Sequence, residues 1–416
     1  MTKVLFWNLR NFTNTRIPNL LIKYPGLIAN PLEYIEQSFE LTDILVLIEE
    51  YHRFGGVYGQ LGFGSGGQGA FNLHDHINKL FPADQWHLVP PIVTGGGGRA
   101  EAIAVYYKGT TLEFTGPWFA NGLTTDPLVF NAYVNAPIDW NQTLPAKSQN
   151  KGGQWYFKSI ATGAKANFKA GYRDPWLVTF QELGGTNRKI QVTGVHSPAP
   201  GDGGQVKGVG KLASDYLDYL ADLHEIQNNP HGADIGIIGG DFNIDASVPQ
   251  GEASFNNFAT NIFYEWGFRD KLDISYPQQV FPNTSQRSHN QLPIQNLEDN
   301  YPNSVFGSSS YDQIFAAGPK GFAIQKQMVL NAVIGVDSVA FGGLREYGFT
   351  NVWPEAGGYS AGWDFTTVMA QDIPAIIGST LGAINPILTS INVFKGWGNY
   401  FHIRYTSDHM GVVCEV

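Results

Sequence analysis

Apolar positions recur along this chain in two rhythms. Short runs bounded by polar or glycine-rich stretches predict buried strands at Lys3-Val4-Leu5-Phe6-Trp7-Asn8 and in "DILVLIEE" (43–50), while "AEAIAVYYK" (100–108) alternates as a strand does. "DPWLVTFQEL" and "KIQVTGVHSP" predict two adjacent strands, and "IGIIGGDFN", "YDQIFAAG", "MVLNAVI" and "RYTSDHMGVVCEV" add four more. The slower rhythm appears in "PLEYIEQSFEL", where Leu32, Ile35 and Phe39 fall at helical spacing. It appears most clearly over 209–227, where Val209, Leu212, Tyr216, Leu220, Leu223 and Ile226 form one stripe and Asn228-Asn229-Pro230 ends it.

Strand–helix–strand alternation at both ends, with meanders between, predicts mixed sheets packed together and covered by helices, an α/β (α+β) architecture. No internal repeat and no clean linker divides the chain, so 1–416 reads as a single domain with insertions near 54–80, 115–168 and 343–400. Those insertions are long enough to build a lid, a partner surface or a different substrate pocket, and equally to be passive decoration. The apolar window 373–391 holds two prolines and an asparagine, so it reads as buried or lid-like structure and not as stable membrane insertion. "GQVKGVGKLAS" (204–214) is no phosphate-binding P-loop, because its glycine spacing is wrong and Leu212 stands where Ser or Thr is needed.

Composition sharpens this picture. With 15% charged residues, 13% aromatic residues and 49 glycines, the chain leans toward strands and loops and away from helical bundles. A net charge of −10 argues against non-specific coating of nucleic acid, but is compatible with local grip on phosphate where a metal supplies the positive charge. Cys414 is the one cysteine, which excludes an internal disulfide and the usual cysteine zinc clusters. "MTKVLFWNLRNF" lacks the apolar core of a signal peptide; an intracellular protein and a secreted one whose leader has been removed both fit.

The chemistry gathers at strand ends. Five apolar strands finish in acid, amide or imidazole groups: Asn8, Glu49, His196, Asp241 with Asn243, and Asp408-His409. Each has a bland reading alone: a solvated glutamate, a satisfied histidine, an Asx turn in Asp241-Phe242-Asn243. Together they suit one task. Carboxylates and carboxamide oxygens are hard ligands for Mg²⁺ or Ca²⁺, and imidazole moves protons near neutral pH. Cleaving a phosphoester needs charge neutralisation, an aligned water and a protonated leaving group. The extended two-residue spacing is expected to put Asp241 and Asn243 on one face, and Gly239-Gly240 to let a phosphate approach closely.

These motifs carry a family resemblance. "FWNLRNF", "DILVLIEE", "RAEAIAVYYK", "YRDPWLVTF", "GVHSPAP", "IIGGDFNID", "SSYDQIFAAG" and "YTSDHMGVV", in that order, resemble the endonuclease/exonuclease/phosphatase superfamily. "HSPAP" and "YDQIFAAG" tilt the resemblance toward its deoxyribonuclease I branch. It implies a four-layer αββα sandwich, two packed mixed β-sheets flanked by helices. It also implies divalent-metal-dependent hydrolysis of a phosphodiester by in-line attack of water, with Mg²⁺ (or Mn²⁺) as cofactor, structural Ca²⁺ as an addition, DNA as substrate and a monomeric enzyme.

Carried over by motif, Glu49 leads as metal ligand with Glu50 as the alternative, and Asn8 and Asp408 complete the metal surroundings or bind phosphate. Asp241 orients or activates the water, and Asn243 holds the scissile phosphate. His196 and His409 form the acid–base pair, with Glu101 and Asp312 as their respective carboxylates. Arg173 and Tyr311 are implied phosphate contacts, the bland reading of Arg173 being a surface ion pair with Asp174. The chain departs from the branch where a minor-groove arginine is expected, near Tyr51 and Arg53, and at Arg99, where a relative presents a tyrosine. A lipid-headgroup (sphingomyelinase-like) or inositol-phosphate hydrolase on the same scaffold is the alternative activity. A non-catalytic binding or toxin subunit is the third reading.

Overall fold

The computed structural model describes residues 1–13, 35–36, 38–40, 42–51, 65–94, 101–116, 119–120, 130–131, 159–162, 172–200, 203–206, 209–227, 233–267, 284–285, 309–320, 322–324, 326–330, 407, 409 and 411–416. The insertion at 343–400, with the 373–391 window, lies outside them, as do most of 115–168, Asp408, Arg53 and Arg99. Among the described residues no helix is long and apolar enough to cross a membrane.

Two six-stranded mixed sheets form the centre. The strands are β1 (Lys3–Phe12), β2 (Ile44–Tyr51), β3 (Trp86–Thr94), β4 (Glu101–Lys108), β5 (Leu112–Gly116) and β6 (Trp176–Glu182). They continue with β7 (Lys189–His196), β8 (Ile235–Asp241), β9 (Glu265–Trp266), β10 (Asp312–Ala317), β11 (Lys326–Leu330) and β12 (Gly411–Glu415). The first sheet runs β11-β12-β1-β2-β4-β3 and the second β9-β10-β8-β7-β6-β5. Each has one parallel pair at its middle, β1 with β2 and β7 with β8, and antiparallel neighbours elsewhere. β1 faces β8 and β2 faces β7, so the two sheets pack face to face.

Helices cover both outer faces. α1 (Ser65–Leu80), inside the 54–80 insertion, lies on β2, β3 and β4, where the Tyr106 hydroxyl donates to the Ala70 carbonyl at 2.8 Å. On the second sheet lie α2 (Lys211–Ala221), the single turn α3 (His224–Gln227) and α4 (Pro249–Ile262). Phe255 and Phe258 of α4 pack edge-on or tilted against Phe242 and Phe315, and the Gln191 amide on β7 donates to the Glu225 carbonyl at 3.0 Å. The result is the four-layer αββα sandwich. The helix expected over 209–227 is broken into two, with Val209-Gly210 paired as a short ribbon before it. Of its stripe Val209, Tyr216, Leu220, Leu223 and Ile226 are buried, while Leu212 is partly exposed and its neighbour Ala213 is buried instead.

The glycines before Asp241 serve the sandwich and not a phosphate. A Cβ on Gly239 would run into the Phe6 ring of the opposite sheet, and one on Gly240 into the Val195 carbonyl and, at 2.6 Å, Ile48. Gly240 also has φ +134°, a conformation closed to other residues. Gly194 on the neighbouring strand is likewise crowded by Val46 at 2.9 Å and Ile103 at 3.1 Å. These side-chain-free positions bring the sheets close together just beneath the polar strand ends.

Candidate active site

The β7–β8 register sets Asp241 beside His196, and the β8–β10 register sets it beside Asp312. Three polar residues thus stand abreast at one end of the second sheet. The first sheet contributes Asn8 from β1, Glu101 from the start of β4, and His409 two residues before β12.

Asp241 is the hub. Its Oδ2 accepts the Asn8 side-chain amide at 3.0 Å, with His196 Nε2 at 3.6 Å and His409 Nε2 at 3.7 Å. Its Oδ1 accepts the Asn243 backbone N–H at 2.8 Å. That last bond is an Asx turn, and Asn243 has φ +50°, which asparagine tolerates better than most residues. The expected extended spacing is therefore corrected: β8 ends at Asp241, and a turn brings Asn243 back over the site. The Asn243 side-chain amide donates to the Ser197 carbonyl at 3.1 Å. The bland reading of "DFN" and the functional one describe the same geometry.

Two imidazole–carboxylate pairs flank the hub. His196 Nδ1 is 2.5 Å from Glu101 Oε1, and His409 Nδ1 is 2.9 Å from Asp312 Oδ2. Each pair joins the two sheets in opposite senses: Glu101 reaches from the first sheet to His196 on the second, and Asp312 from the second to His409 beside the first. In both, Nδ1 faces its carboxylate and Nε2 faces Asp241, the arrangement that fixes a tautomer. Glu101, His196, Asp241 and Asp312 are all buried; His409 is partly exposed.

Burial pushes the Glu101 carboxyl upward; Arg173 pulls it back and the Asp241 charge raises it further, leaving it at about 8. Arg173 is mostly buried, with Nε 2.6 Å from Glu101 Oε1 and Nη1 donating to the Ser197 carbonyl at 3.0 Å. This replaces the surface ion pair with Asp174 as the description of Arg173. Tyr311 is half-buried, and burial, with Asp245 and Asp241 adding to it, raises its phenol against a hydrogen bond with Ser309. Its backbone carbonyl accepts the Phe242 N–H at 3.0 Å, placing it on the far side of the turn.

Supporting groups that the motif reading did not single out hold these residues. The Ser407 hydroxyl accepts the His409 N–H at 2.9 Å and donates to the Asn8 carbonyl, tying His409 to β1. The Trp7 indole N–H donates to the His409 carbonyl at 2.9 Å. Thr284 Oγ1 accepts the Asp312 N–H at 2.9 Å, and the next residue, Ser285, forms a β-bridge to His409. Ser197 and Ser407 are adjacent to or two residues from the predicted histidines, in "HSP" and "SDH". Ser407 holds His409, and Ser197 holds Asn243 and Arg173, through bonds that only the folded chain shows. Nothing in the sequence marks Thr284.

The donor set fits a divalent cation. Asp241, Asp312 and His409 offer ligand atoms all within 4.8 Å of one another, and buried Asp312 Oδ1 has no hydrogen-bond partner among the described residues. Asn8 gives its N–H to Asp241, and its carbonyl oxygen is the kind of atom a hard cation takes. Of the other expected ligands, Asp408 and the side chains of Glu49 and Glu50 lie outside the described residues. At the two glutamates β2 departs from regular alternation: it carries a bulge between Leu47 and Glu50 against β4, and another irregularity against β1.

No family model and no curated protein matches the sequence. Solved structures do. The chain is similar to endonuclease/exonuclease/phosphatase proteins. One from Leptotrichia buccalis C-1013-b is 9% identical, with 100% of this chain and 99% of that chain covered at a TM-score of 0.44. D. rerio TDP2, solved with a single-strand DNA product, is 10% identical, with 99% and 97% covered at 0.39. The mannosyl-6-phosphatase Bt3783 of Bacteroides thetaiotaomicron VPI-5482 is 12% identical, with 79% and 89% covered at 0.40. At these TM-scores the likeness carries no argument; the fold and the site stand on their own geometry.

Proposed function

We propose that this chain is a divalent-metal-dependent phosphodiesterase, an endodeoxyribonuclease of low sequence specificity that hydrolyses DNA by in-line attack of water. The observation that carries this reading is the convergence of two carboxylate-anchored imidazoles on one carboxylate, with both Nε2 atoms within 3.7 Å of Asp241 Oδ2. An acid and a base aimed at one point are what hydrolysis of a phosphodiester requires, one to take the water's proton and one to protonate the leaving oxygen. Asp241, with each oxygen held by a donor, orients the water. Asn243 and Tyr311 contact the scissile phosphate.

Asn8, Glu49 (or Glu50) and Asp408 would hold the Mg²⁺ or Mn²⁺, which when bound supplies charge neutralisation at the phosphate. Asp241, Asp312 and His409 could also hold a cation, but a metal-bound His409 imidazole would not be available for proton transfer, so the proposed role of His409 goes with a cation held by Asn8, Glu49 (or Glu50) and Asp408. DNA is favoured as substrate by the "HSPAP" and "YDQIFAAG" motifs, and the −10 charge assigns the grip on phosphate to the site itself.

Supercoiled plasmid incubated with Mg²⁺ tests the proposal. Nicking that EDTA abolishes, and that His196→Ala and His409→Ala each slow by about 10²–10⁴-fold, is the expected result. Turnover of sphingomyelin or a phosphoinositide with plasmid left intact would move the activity to the alternative substrate class.

A further inference from the structure

Arg173 stands in an unexpected place for a residue whose motif implies phosphate contact. Two of its three guanidinium nitrogens are turned into the protein, Nε to Glu101 Oε1 at 2.6 Å and Nη1 to the Ser197 carbonyl at 3.0 Å. The first is an ion pair and the second a hydrogen bond, and both partners are shared with residues of the proposed site. Glu101 Oε1 is the same oxygen that lies 2.5 Å from His196 Nδ1, and the Ser197 carbonyl also accepts the Asn243 amide at 3.1 Å. The Arg173 backbone is itself held from behind, since buried Tyr216 on α2 donates its hydroxyl to the Arg173 carbonyl at 2.6 Å. Planar, with its nitrogens fixed in a fork, guanidinium can pair with a carboxyl and bond a carbonyl at once in a way that an ammonium cannot.

We propose that Arg173 is a positioning residue: it clamps Glu101 against His196 and the Ser197 carbonyl against Asn243, fixing one proton-transfer group and one phosphate-holding group through a single side chain. The inference rests on the proposed phosphodiesterase reading for its kinetic consequence, but the clamp itself does not. The Asp312–His409 pair, whose Nδ1 contact does not involve Arg173, serves as the internal control.

The test has two arms. In metal-free protein, the imidazole Nδ1–H protons of His196 and His409 are followed by NMR, assigned with His196→Asn and His409→Asn. Arg173→Ala and Arg173→Lys are both expected to abolish the His196 signal and leave that of His409 in place. Lysine retains charge and long reach, so a folded Arg173→Lys protein guards against a merely unstable alanine variant. With bis(p-nitrophenyl) phosphate and Mg²⁺, both variants are expected to lower kcat by about 10²-fold with KM little changed, as misplacement of a catalytic group does. Sub-denaturing guanidinium is expected to restore the alanine variant, and not the lysine one.

Retention of the His196 signal in both variants, with KM raised and kcat unchanged, would overturn the clamp in favour of direct phosphate contact. If the unaltered protein hydrolyses no phosphodiester, the functional reading fails while the NMR arm still decides whether Arg173 fixes His196.

Discussion

The two imidazole pairs beside Asp241 are built alike and supported differently. Glu101–His196 is closed in by a guanidinium that also grips the Ser197 carbonyl, and its carboxyl is pushed up to about 8. Asp312–His409 is held by Thr284, Ser407 and Trp7 through hydrogen bonds to backbone. The first pair is positioned by side chains deep in the sandwich. The second is positioned by chain geometry, through a serine two residues away and a segment that returns from elsewhere in the fold. Two groups that converge on one carboxylate are therefore expected to fail in different ways.

The largest effect belongs to the residue they share. Asp241→Ala is expected to lower phosphodiester hydrolysis by about 10⁴-fold, at the upper end of what acid–base assistance supplies, measured at saturating Mg²⁺. Next come the carboxylates: Glu101→Gln and Asp312→Asn are each expected to cost about 10²-fold in kcat. Equal losses would say that both imidazoles move protons in the rate-limiting step, and a large difference would assign that step to one pair.

The third test separates the pairs by stability. Glu101 titrates near 4.5 when unfolded and at about 8 in the folded protein, so between those values the folded chain holds an extra proton. Its contribution to stability is then present below about pH 4.5 and lost as pH rises toward 8. Denaturant melts of metal-free protein are expected to show that downward slope, and Glu101→Gln to remove it.

Smaller effects lie in the sheets. Gly239→Ala is expected to cost about 1–3 kcal/mol in denaturant melts, because its Cβ meets Phe6 of the opposite sheet. Activity should fall with it, since both pairs span the two sheets. The smallest effect is at the edge of the sandwich. Burial alone would raise Glu182, but hydrogen bonds from Arg188, Thr186 and Thr2 outweigh it and bring the carboxyl down to about 2. Its stabilisation is present above about pH 4.5 and lost as pH falls through 2, so Glu182→Gln should flatten the acid limb without touching neutral-pH activity.

Much of this arrangement was legible in the sequence, and the losses have physical causes. Apolar runs ending in polar residues marked β1, β2, β7 and β8, because buried strands leave their chemistry at their ends. The carboxylate partners of both histidines came from motif order, and the folded chain places Glu101 and Asp312 at their Nδ1 atoms. The Asp241–Asn243 relation was misread as extended spacing, because an Asx turn and a strand look the same over three residues. Gly239 and Gly240 were given to a phosphate, since nothing local reveals that Phe6 and Ile48 from the other sheet press on them. The motif implies a phosphate contact for Arg173 and its neighbour Asp174 a surface ion pair; neither points to Glu101, which is far away in sequence and meets Arg173 only when the sheets pack.

Mg²⁺-dependent nicking of supercoiled plasmid by the intact chain, run beside Asp241→Ala and an EDTA control, tests the central claim most directly. Nicking by the unaltered protein alone, and only with the metal, is the expected result. An Asp241→Ala protein that is folded and nicks at the same rate would contradict it.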